Sequence, residues 1–356
     1  MTGRHLWIRA ETRPDEFRAP LVPADVATLV EAGTEVTVEE SPSRCFAAAD
    51  YLDAGAHLAA PGSWAGCPPE AFVLGLKELP EETGPIAGRH LYFAHAYKGQ
   101  RGSAAVLARF AAGGGEILDL EHLTDGSGRR LAAFGHWAGY AGAALALRHW
   151  NGTLGPLRAT TKDRLDASLP RTSAPPRVLV VGALGRCGRG ARAALARAGI
   201  EPTAWDLAET ARLDRDALLG HEILLNAVAR DEPGEILLGP EHLRSGHRLS
   251  LIVDVTCDVG SPAHLLPVYD ELTSWQEPAR AVAGGLTVIA IGNLPALLPR
   301  EASTDFSAQL TPWLRQLPDG DCWARSRRAF RAAARGAGAT VHGPEPAPAE
   351  MEPHHA

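Results

Sequence analysis

Cysteine is scarce and scattered in this chain: Cys45, Cys67, Cys187, Cys257 and Cys322 form no C-x-x-C pair among 356 residues. An odd number without close pairs speaks against a disulfide framework or a zinc site, and the five read as reduced thiols. Long apolar runs are also missing, since no stretch approaches the roughly 18 residues of a membrane span. The opening MTGRHLWIRAETRPDEF lacks the apolar centre of a secretory signal. The expectation is therefore a cytoplasmic protein with no membrane partner. Basic charge is not in excess either: Lys+Arg total 35 against 42 Asp+Glu, a net charge of −7. A nucleic-acid binder would need a basic face. The 14 histidines are dispersed, with His264, His354 and His355 in loop or tail sequence, so no metal is assigned. No repeat of solenoid period occurs.

What is present is a chain 45% hydrophobic, long enough for about two domains of roughly 100–200 residues. Its organising stretch is 177–206, RVLVVGALGRCGRGARAALARAGIEPTAWD. The β-branched run Val178–Val181 predicts a strand that empties into a turn bearing Gly182, Gly185 and Gly188. A helix follows from about Arg186 to Ala198, Gly199 stops it, and a second strand at Thr203–Trp205 ends at Asp206. This pattern is a βαβ unit suited to a dinucleotide. Glycines let the backbone approach a pyrophosphate, the helix N-terminus offers N–H groups and a positive dipole, and the acid can bind ribose hydroxyls. The spacing is G-x-x-G-x-x-G where G-x-G-x-x-G is commoner, and Asp206 lies 24 positions after Gly182, near the usual interval of about 20. A carboxylate there favours NAD over NADP, because it repels a 2′-phosphate. The alternative is a tight strand–helix turn with no ligand.

Strand and helix signals alternate through the first third. Strands are predicted at His5–Arg9, Glu35–Val38, Phe72–Leu76, His90–Ala94 and Glu116–Leu120, and helices at Val22–Ala32 and Ser103–Ala112. Such alternation implies a parallel sheet covered on both faces. Gly135–His149 reads as a long helix linking two domains, and Asn151–Pro176 as a surface connection. Further strands are predicted at Ile223–Ala227, Leu251–Val255 and Leu286–Ile291. Helical sequence covers Leu294–Leu317, interrupted at Pro299, and Cys322–Ala334. The last helices are expected to pack back on the first domain. The expected fold is α/β, two doubly wound Rossmann-like domains with a cleft between them. Residues 1–135 plus about 318–335 form a discontinuous substrate domain, 136–317 a dinucleotide domain, and 336–356 a disordered tail rich in Pro, Ala and Glu.

In open α/β sheets the ligand crevice lies beyond the carboxyl ends of the strands. Arg13 and Arg18 follow the first strand, Lys77 and Glu78 follow FVLGL, His95, Tyr97 and Lys98 follow LYFA, and Glu121 follows EILDL. With Arg130 they make a cationic cleft with embedded acids, fit for a substrate bearing more than one carboxylate. A lysine and a histidine together supply the two proton-transfer groups of an amine oxidation. Cys187 reads either as a thiol at a helix N-terminus or as a small packing residue. Asp254 and Asp258, in DVTCD, read either as structural caps or as site residues.

The strings HLWIRAET, GLKELPEE, YFAHAYKGQ, LDLEHLTDGSGRRLAAFGHWAGYAGAALAL, VGALGRCGRGA, WDLAET, DVTCD and LPALLPREAS run in one order over roughly residues 4–335. Together they resemble the NAD-dependent, lysine-forming saccharopine dehydrogenases, relatives of alanine dehydrogenase and the transhydrogenase subunit. The resemblance implies oxidation of the secondary amine of saccharopine by NAD, then hydrolysis of the imine to lysine and 2-oxoglutarate. It implies Lys77 and His95 as the acid–base pair and Arg18, Lys98 and Arg130 as holders of substrate carboxylates. It also implies Glu78 and Glu121 as tuning acids beside the substrate, and Gly182, Gly185, Arg186, Gly188 and Asp206 as cofactor contacts.

The chain departs from the family pattern at two places. Where the family usually reads S-I-D-H-L-P, this sequence has Ala290-Ile291-Gly292-Asn293-Leu294-Pro295, and Arg13 replaces what is commonly a lysine. The family aspartate pairs with the lysine after the histidine, so Gly292 takes a carboxylate away from Lys98. Both changes touch substrate recognition and spare the chemistry. The alternatives are the same reaction on a different secondary amine or an N–N linked (hydrazine) lysine conjugate, and, from another class, a non-catalytic NAD-binding regulator. The expected partner is a small amino-acid-derived molecule, and the expected assembly a monomer or small homo-oligomer.

Overall fold

The computed structural model describes residues 4–80, 84–97, 102–169, 174–230, 232–243 and 246–337. Lys98 and most of the expected tail lie outside the described residues. By internal contacts the chain divides into two units, one of Met1–Ala133 with Ser303–Ala356 and one of Phe134–Ala302.

The first unit begins with β1 (His5–Ile8), α1 (Pro23–Glu31), β2 (Glu35–Glu39), α2 (Ala48–Asp53) and β3 (His57–Ala59). It continues with β4 (Phe72–Leu74), β5 (Arg89–Tyr92), α3 (Ser103–Gly113) and β6 (Glu116–Asp119). The strands form one parallel sheet in the order β3-β2-β1-β4-β5-β6. Leu6, Ile8, Val36, Val38, Leu74, Leu91 and Leu118 are buried on it. Their unbroken apolar runs are what a sheet covered on both faces requires. The register sets Ile8 beside Leu74, Leu74 beside Leu91 and Tyr92 beside Asp119. The carboxyl ends of β1, β4, β5 and β6 therefore finish nearly level. The strand order reverses at β1/β4, which is the topological switch point.

The second unit opens with α4 (Gly135–Trp150) and α5 (Lys162–Ala167), followed by β7 (Val178–Val181), α6 (Arg186–Arg197) and β8 (Thr203–Trp205). Then come α7 (Leu207–Thr210), α8 (Arg215–Leu219), β9 (Ile223–Asn226), β10 (Leu251–Asp254), β11 (Arg280–Ala281) and β12 (Thr287–Ile289). The sheet order is β11-β12-β10-β9-β7-β8, parallel except for the short antiparallel edge β11. The small residues of α4 have a packing reason. A Cβ on Gly139 would fall 1.8 Å from the Cys187 carbonyl oxygen, and one on Gly190 1.8 Å from that of His136. Only glycine at both positions lets α4 and α6 touch backbone to backbone.

The chain ends with α9 (Pro299–Leu314) and α10 (Asp321–Gly336). The sequence pattern places 303–317 in the dinucleotide domain, whereas in the structure Ser303 onward belongs with the first unit. The reason is polar as well as apolar. Ser303 and Ser307 hydroxyls accept the N–H groups of Ala19 and Val22 at 2.9 and 3.0 Å, and Phe306 meets Phe93 with ring centroids 5.8 Å apart. In α10, Phe330 packs against Phe110 and Arg327 pairs with Glu116.

Candidate active site

The connection from β1 to α1, residues 9–22, contains no glycine, so nothing there lets a backbone close on a pyrophosphate. The first unit has the strand order often associated with dinucleotides, yet its switch point is filled by charged side chains. Arg18 donates from Nε and Nη2 to the two oxygens of Glu16 at 2.8 and 2.6 Å, and both residues are buried. Burial pushes the Glu16 carboxyl up, but the Arg18 charge and hydrogen bonds prevail and hold it below its ordinary range.

Lys77 leaves β4 beside this pair. Glu11 fixes its approach by accepting the N–H groups of Leu76 and Lys77 at 2.7 and 3.0 Å, and Arg9 donates to the Lys77 carbonyl. Phe93, leaving β5, donates its N–H to Leu76 O at 3.2 Å. Lys77 is thus laid between the ends of β1 and β5. Burial, reinforced by the nearby charges of Arg18 and Arg13, lowers the Lys77 ammonium to about 8, against the opposing pull of Glu16 and Glu78. Glu78 pairs with Arg13 Nε at 2.5 Å across a half-exposed surface.

On the other flank, His95 follows β5 and Glu121 follows β6. His95 takes the left-handed backbone at φ 48° and its side chain is 56% exposed. Its Nδ1 lies 3.4 Å from Glu121 Oε2, while Arg130 Nη2 donates to Glu121 Oε1 at 2.6 Å. A non-glycine residue at positive φ is uncommon, and such outliers gather at functional sites. In chemical terms the edge holds a buried lysine whose ammonium is lowered to about 8, a half-exposed imidazole beside a carboxylate, and several guanidinium groups. The structure brings Arg13, Arg18, Lys77 and Glu78 together at the ends of β1 and β4, and His95, Glu121 and Arg130 at the ends of β5 and β6.

Three residues that the sequence reading did not name belong to this edge: Glu16, Arg9 and Glu11. The E-x-R spacing in a loop was the signal for the buried pair. For Glu11 the signal was a carboxylate standing just past a strand end.

In the second unit, Gly182 has φ +80° and a Cβ there would fall 2.7 Å from Val228 Cγ2. A Cβ on Gly188 would fall 2.1 Å from the Gly182 carbonyl oxygen. The turn is therefore closed so tightly that the first turn of α6, which starts at Arg186 with Gly185 as N-cap, sits directly on it. Gly182 and Ala183 donate to Trp205 O at 2.8 and 3.0 Å, which ties the turn to the end of β8. Asp206 completes the tie, with Oδ2 accepting from Leu184 N at 2.9 Å and Oδ1 from Leu207 N at 3.0 Å. As N-cap of α7 it also takes part in a capping box with Glu209, and a carboxylate, with about four acceptor sites, can still accept from a ribose hydroxyl. The glycine cradle, the helix N-terminus and the acid fit a dinucleotide.

Asp254 has a bracing role. Fully buried at the end of β10, it accepts from Asn226 Nδ2 at 3.1 Å, Thr256 Oγ1 at 2.7 Å and Tyr269 OH at 2.8 Å. Cys257 takes φ +58° in the braced loop, and burial pushes its thiol up, away from reactivity. Cys187 sits in the first turn of α6, against the glycines of α4. Among the described residues, no group of three or more His, Cys, Asp and Glu could hold a metal ion. No described helix is long and apolar enough to cross a membrane.

Residues 7–141 match the family model described as alanine dehydrogenase/PNT, N-terminal domain. The chain is 40% identical over 350 residues to the saccharopine dehydrogenase [NAD(+), L-lysine-forming] of Emericella nidulans, covering 90% of this chain and 93% of that protein. It is 40% identical over 356 residues to the protein of the same name from Yarrowia lipolytica, covering 91% and 96%. Among solved structures it resembles an L-alanine dehydrogenase, with TM-score 0.65, 18% identity, and 92% and 93% of the two chains covered. It also resembles a transhydrogenase from Sinorhizobium meliloti, with TM-score 0.62, 17% identity, and 88% and 94% covered. These structural likenesses speak to the fold.

Proposed function

Since the chain belongs to the family of NAD-dependent, L-lysine-forming saccharopine dehydrogenases, we propose that it oxidises the C–N bond of saccharopine at the edge built by Lys77 and His95. The products are lysine, 2-oxoglutarate and NADH. The observation that carries the assignment is the 40% identity to lysine-forming saccharopine dehydrogenases over nine-tenths of the chain, and Lys77, buried at the end of β4 beside the Arg18–Glu16 pair and lowered to about 8, supports its place as the base. A general base works best when its pKa lies near the working pH.

NAD supplies the acceptor for the hydride, and Gly182, Gly185, Arg186, Gly188 and Asp206 are the residues that would hold it. Neutral Lys77 takes the proton of the substrate's secondary ammonium. The freed lone pair then drives hydride from the glutarate α-carbon and leaves a protonated imine. His95 faces solvent and is oriented by Glu121, so it is placed to take a proton from the water that adds to the imine carbon. Once His95 has passed that proton to solvent, Lys77 returns a proton to nitrogen and His95 takes the hydroxyl proton, so that the C–N bond of the carbinolamine breaks and the ketone forms. Arg18, Arg130 and Lys98 are the cations proposed for the substrate carboxylates. Arg18 does so from within its Glu16 pair, and its second effect is to keep Lys77 easily deprotonated.

The test is NADH absorbance with purified protein, NAD and saccharopine. Turnover that Lys77→Met abolishes while NAD binding persists supports the assignment. Undiminished turnover in that variant would remove Lys77 from the role. The Gly292 departure keeps a second substrate in view, an N-substituted or N-aminated lysine turned over where saccharopine is not.

A further inference from the structure

Both polar atoms of the Lys77 main chain are held by side chains that the reaction does not consume. Glu11 Oε1 accepts from Leu76 N at 2.7 Å and Glu11 Oε2 from Lys77 N at 3.0 Å. Arg9 donates through Nη2 to the Lys77 carbonyl, and its Nη1 stands 3.5 Å from Glu11 Oε2. The two side chains are 1% and 4% exposed. Arg9 reaches the carbonyl by passing directly over Gly75, where a Cβ would fall 2.3 Å from Arg9 Nε. The segment carrying the pair is itself pinned to β2, because Ala10 N donates to Glu39 Oε2 at 2.8 Å and Arg44 donates to Arg9 O at 3.1 Å.

A buried ion pair is a poor source of net stability, since desolvation offsets most of the attraction. What this one delivers is geometry. Lysine carries its amine on a long flexible stem, so the reach of Nζ depends on where the backbone starts. We propose that Arg9 and Glu11 form a positioning clamp that sets Lys77 for proton transfer, with Gly75 present to let the guanidinium through. The proposal rests on the reading of Lys77 as the proton acceptor.

The experiment uses the full chain and four variants, Glu11→Gln, Glu11→Asp, Gly75→Ala and Lys77→Met. It measures kcat, KM, the pH profile of kcat/KM, NAD affinity by calorimetry and the folded fraction. Glu11→Gln replaces one acceptor oxygen with a donor facing the main-chain N–H groups, and Gly75→Ala pushes Arg9 aside. Each should cost up to about 100-fold in kcat, the scale of a misplacement near 1 Å. Affinity for NAD should stay unchanged and the limb belonging to Lys77 should move in pH, while Glu11→Asp recovers part of the rate.

Wild-type kcat per folded molecule with an unmoved pH profile in Glu11→Gln and Gly75→Ala would overturn the clamp, leaving a structural pair. Failure of all three clamp variants to fold, Glu11→Asp included, would overturn it in the same way. If Lys77→Met is inactive while Glu11→Gln behaves as wild type, the clamp fails and the reading beneath it stands. An active Lys77→Met would overturn both.

Discussion

Arg18 and Glu16 meet side-on, Nε to Oε1 at 2.8 Å and Nη2 to Oε2 at 2.6 Å, with the guanidinium 4% and the carboxylate 0% exposed. Taking one partner from such a pair leaves a buried charge poorly compensated, at a cost of about 3–5 kcal/mol. Glu16→Ala should therefore lower the unfolding free energy by that order in urea titration at neutral pH. A loss under about 1 kcal/mol would mean that water or another group readily takes the carboxylate's place.

The same pair acts on Lys77 at a distance, Arg18 lowering its ammonium and Glu16 raising it. A lysine lowered to about 8 is neutral above that pH and protonated below it. Amine oxidation needs the neutral form, so kcat/KM for saccharopine should rise through about pH 8. The reverse reaction needs the protonated form and should fall over the same range. Arg13 lowers Lys77 and Glu78 raises it. Arg13→Gln removes the cation and loosens its hold on Glu78, so the limb should move to higher pH. A limb that moves down or not at all would dissociate this titration from Lys77.

How far the sequence shows all this depends on how local each signal is. Val178–Val181 and Ile223 onward were legible as strands because buried parallel strands are continuous apolar runs, and the structure places them there; Thr203–Trp205, an edge strand exposed at its first two residues, was legible from its place after the helix stop at Gly199. Helix α5, inside the stretch read as a connection, is six residues long, and β3 is three residues with no fully buried position. Elements this short are shaped by tertiary contacts more than by their own pattern. The boundary at Ser303 was illegible for a similar reason, since it depends on two serine hydroxyls meeting main-chain N–H groups more than 280 residues away. One signal in the composition was available: only three of the 35 basic residues are lysine, at 77, 98 and 162. Arginine cannot give up its proton in a protein, so a lysine kept at a strand end in such a chain points to proton transfer.

Asp206 should matter to NAD in two ways. Its oxygens brace the glycine turn through Leu184 N and the start of α7 through Leu207 N, and an acid at this strand end can also accept from ribose hydroxyls. Hydrogen bonds to a charged group contribute about 1.5–3 kcal/mol. Asp206→Ala should weaken NAD binding by about 10-fold to 100-fold in calorimetry, and should narrow the preference for NAD over NADP because the repulsive carboxylate has gone. Unchanged affinity for both cofactors would move the ribose contact elsewhere.

Gly292 tests substrate recognition, because nothing in its surroundings demands glycine. It is exposed, its φ is not positive, and the nearest atom to an added Cβ is Leu272 Cδ1 at an ordinary 3.7 Å. A side chain fits there, so Gly292→Asp should fold with a thermal midpoint close to that of the parent. In the family pattern an acid usually stands at this place. Restoring it should lower KM for saccharopine several-fold while kcat stays within about 2-fold, the signature of a group that binds ground state and transition state alike. Two outcomes would count against that role. A fall in kcat with unchanged KM would place position 292 in the chemistry. A rise in KM for saccharopine, with better turnover of another N-substituted lysine lost at the same time, would mean that the glycine is an adaptation to that other amine.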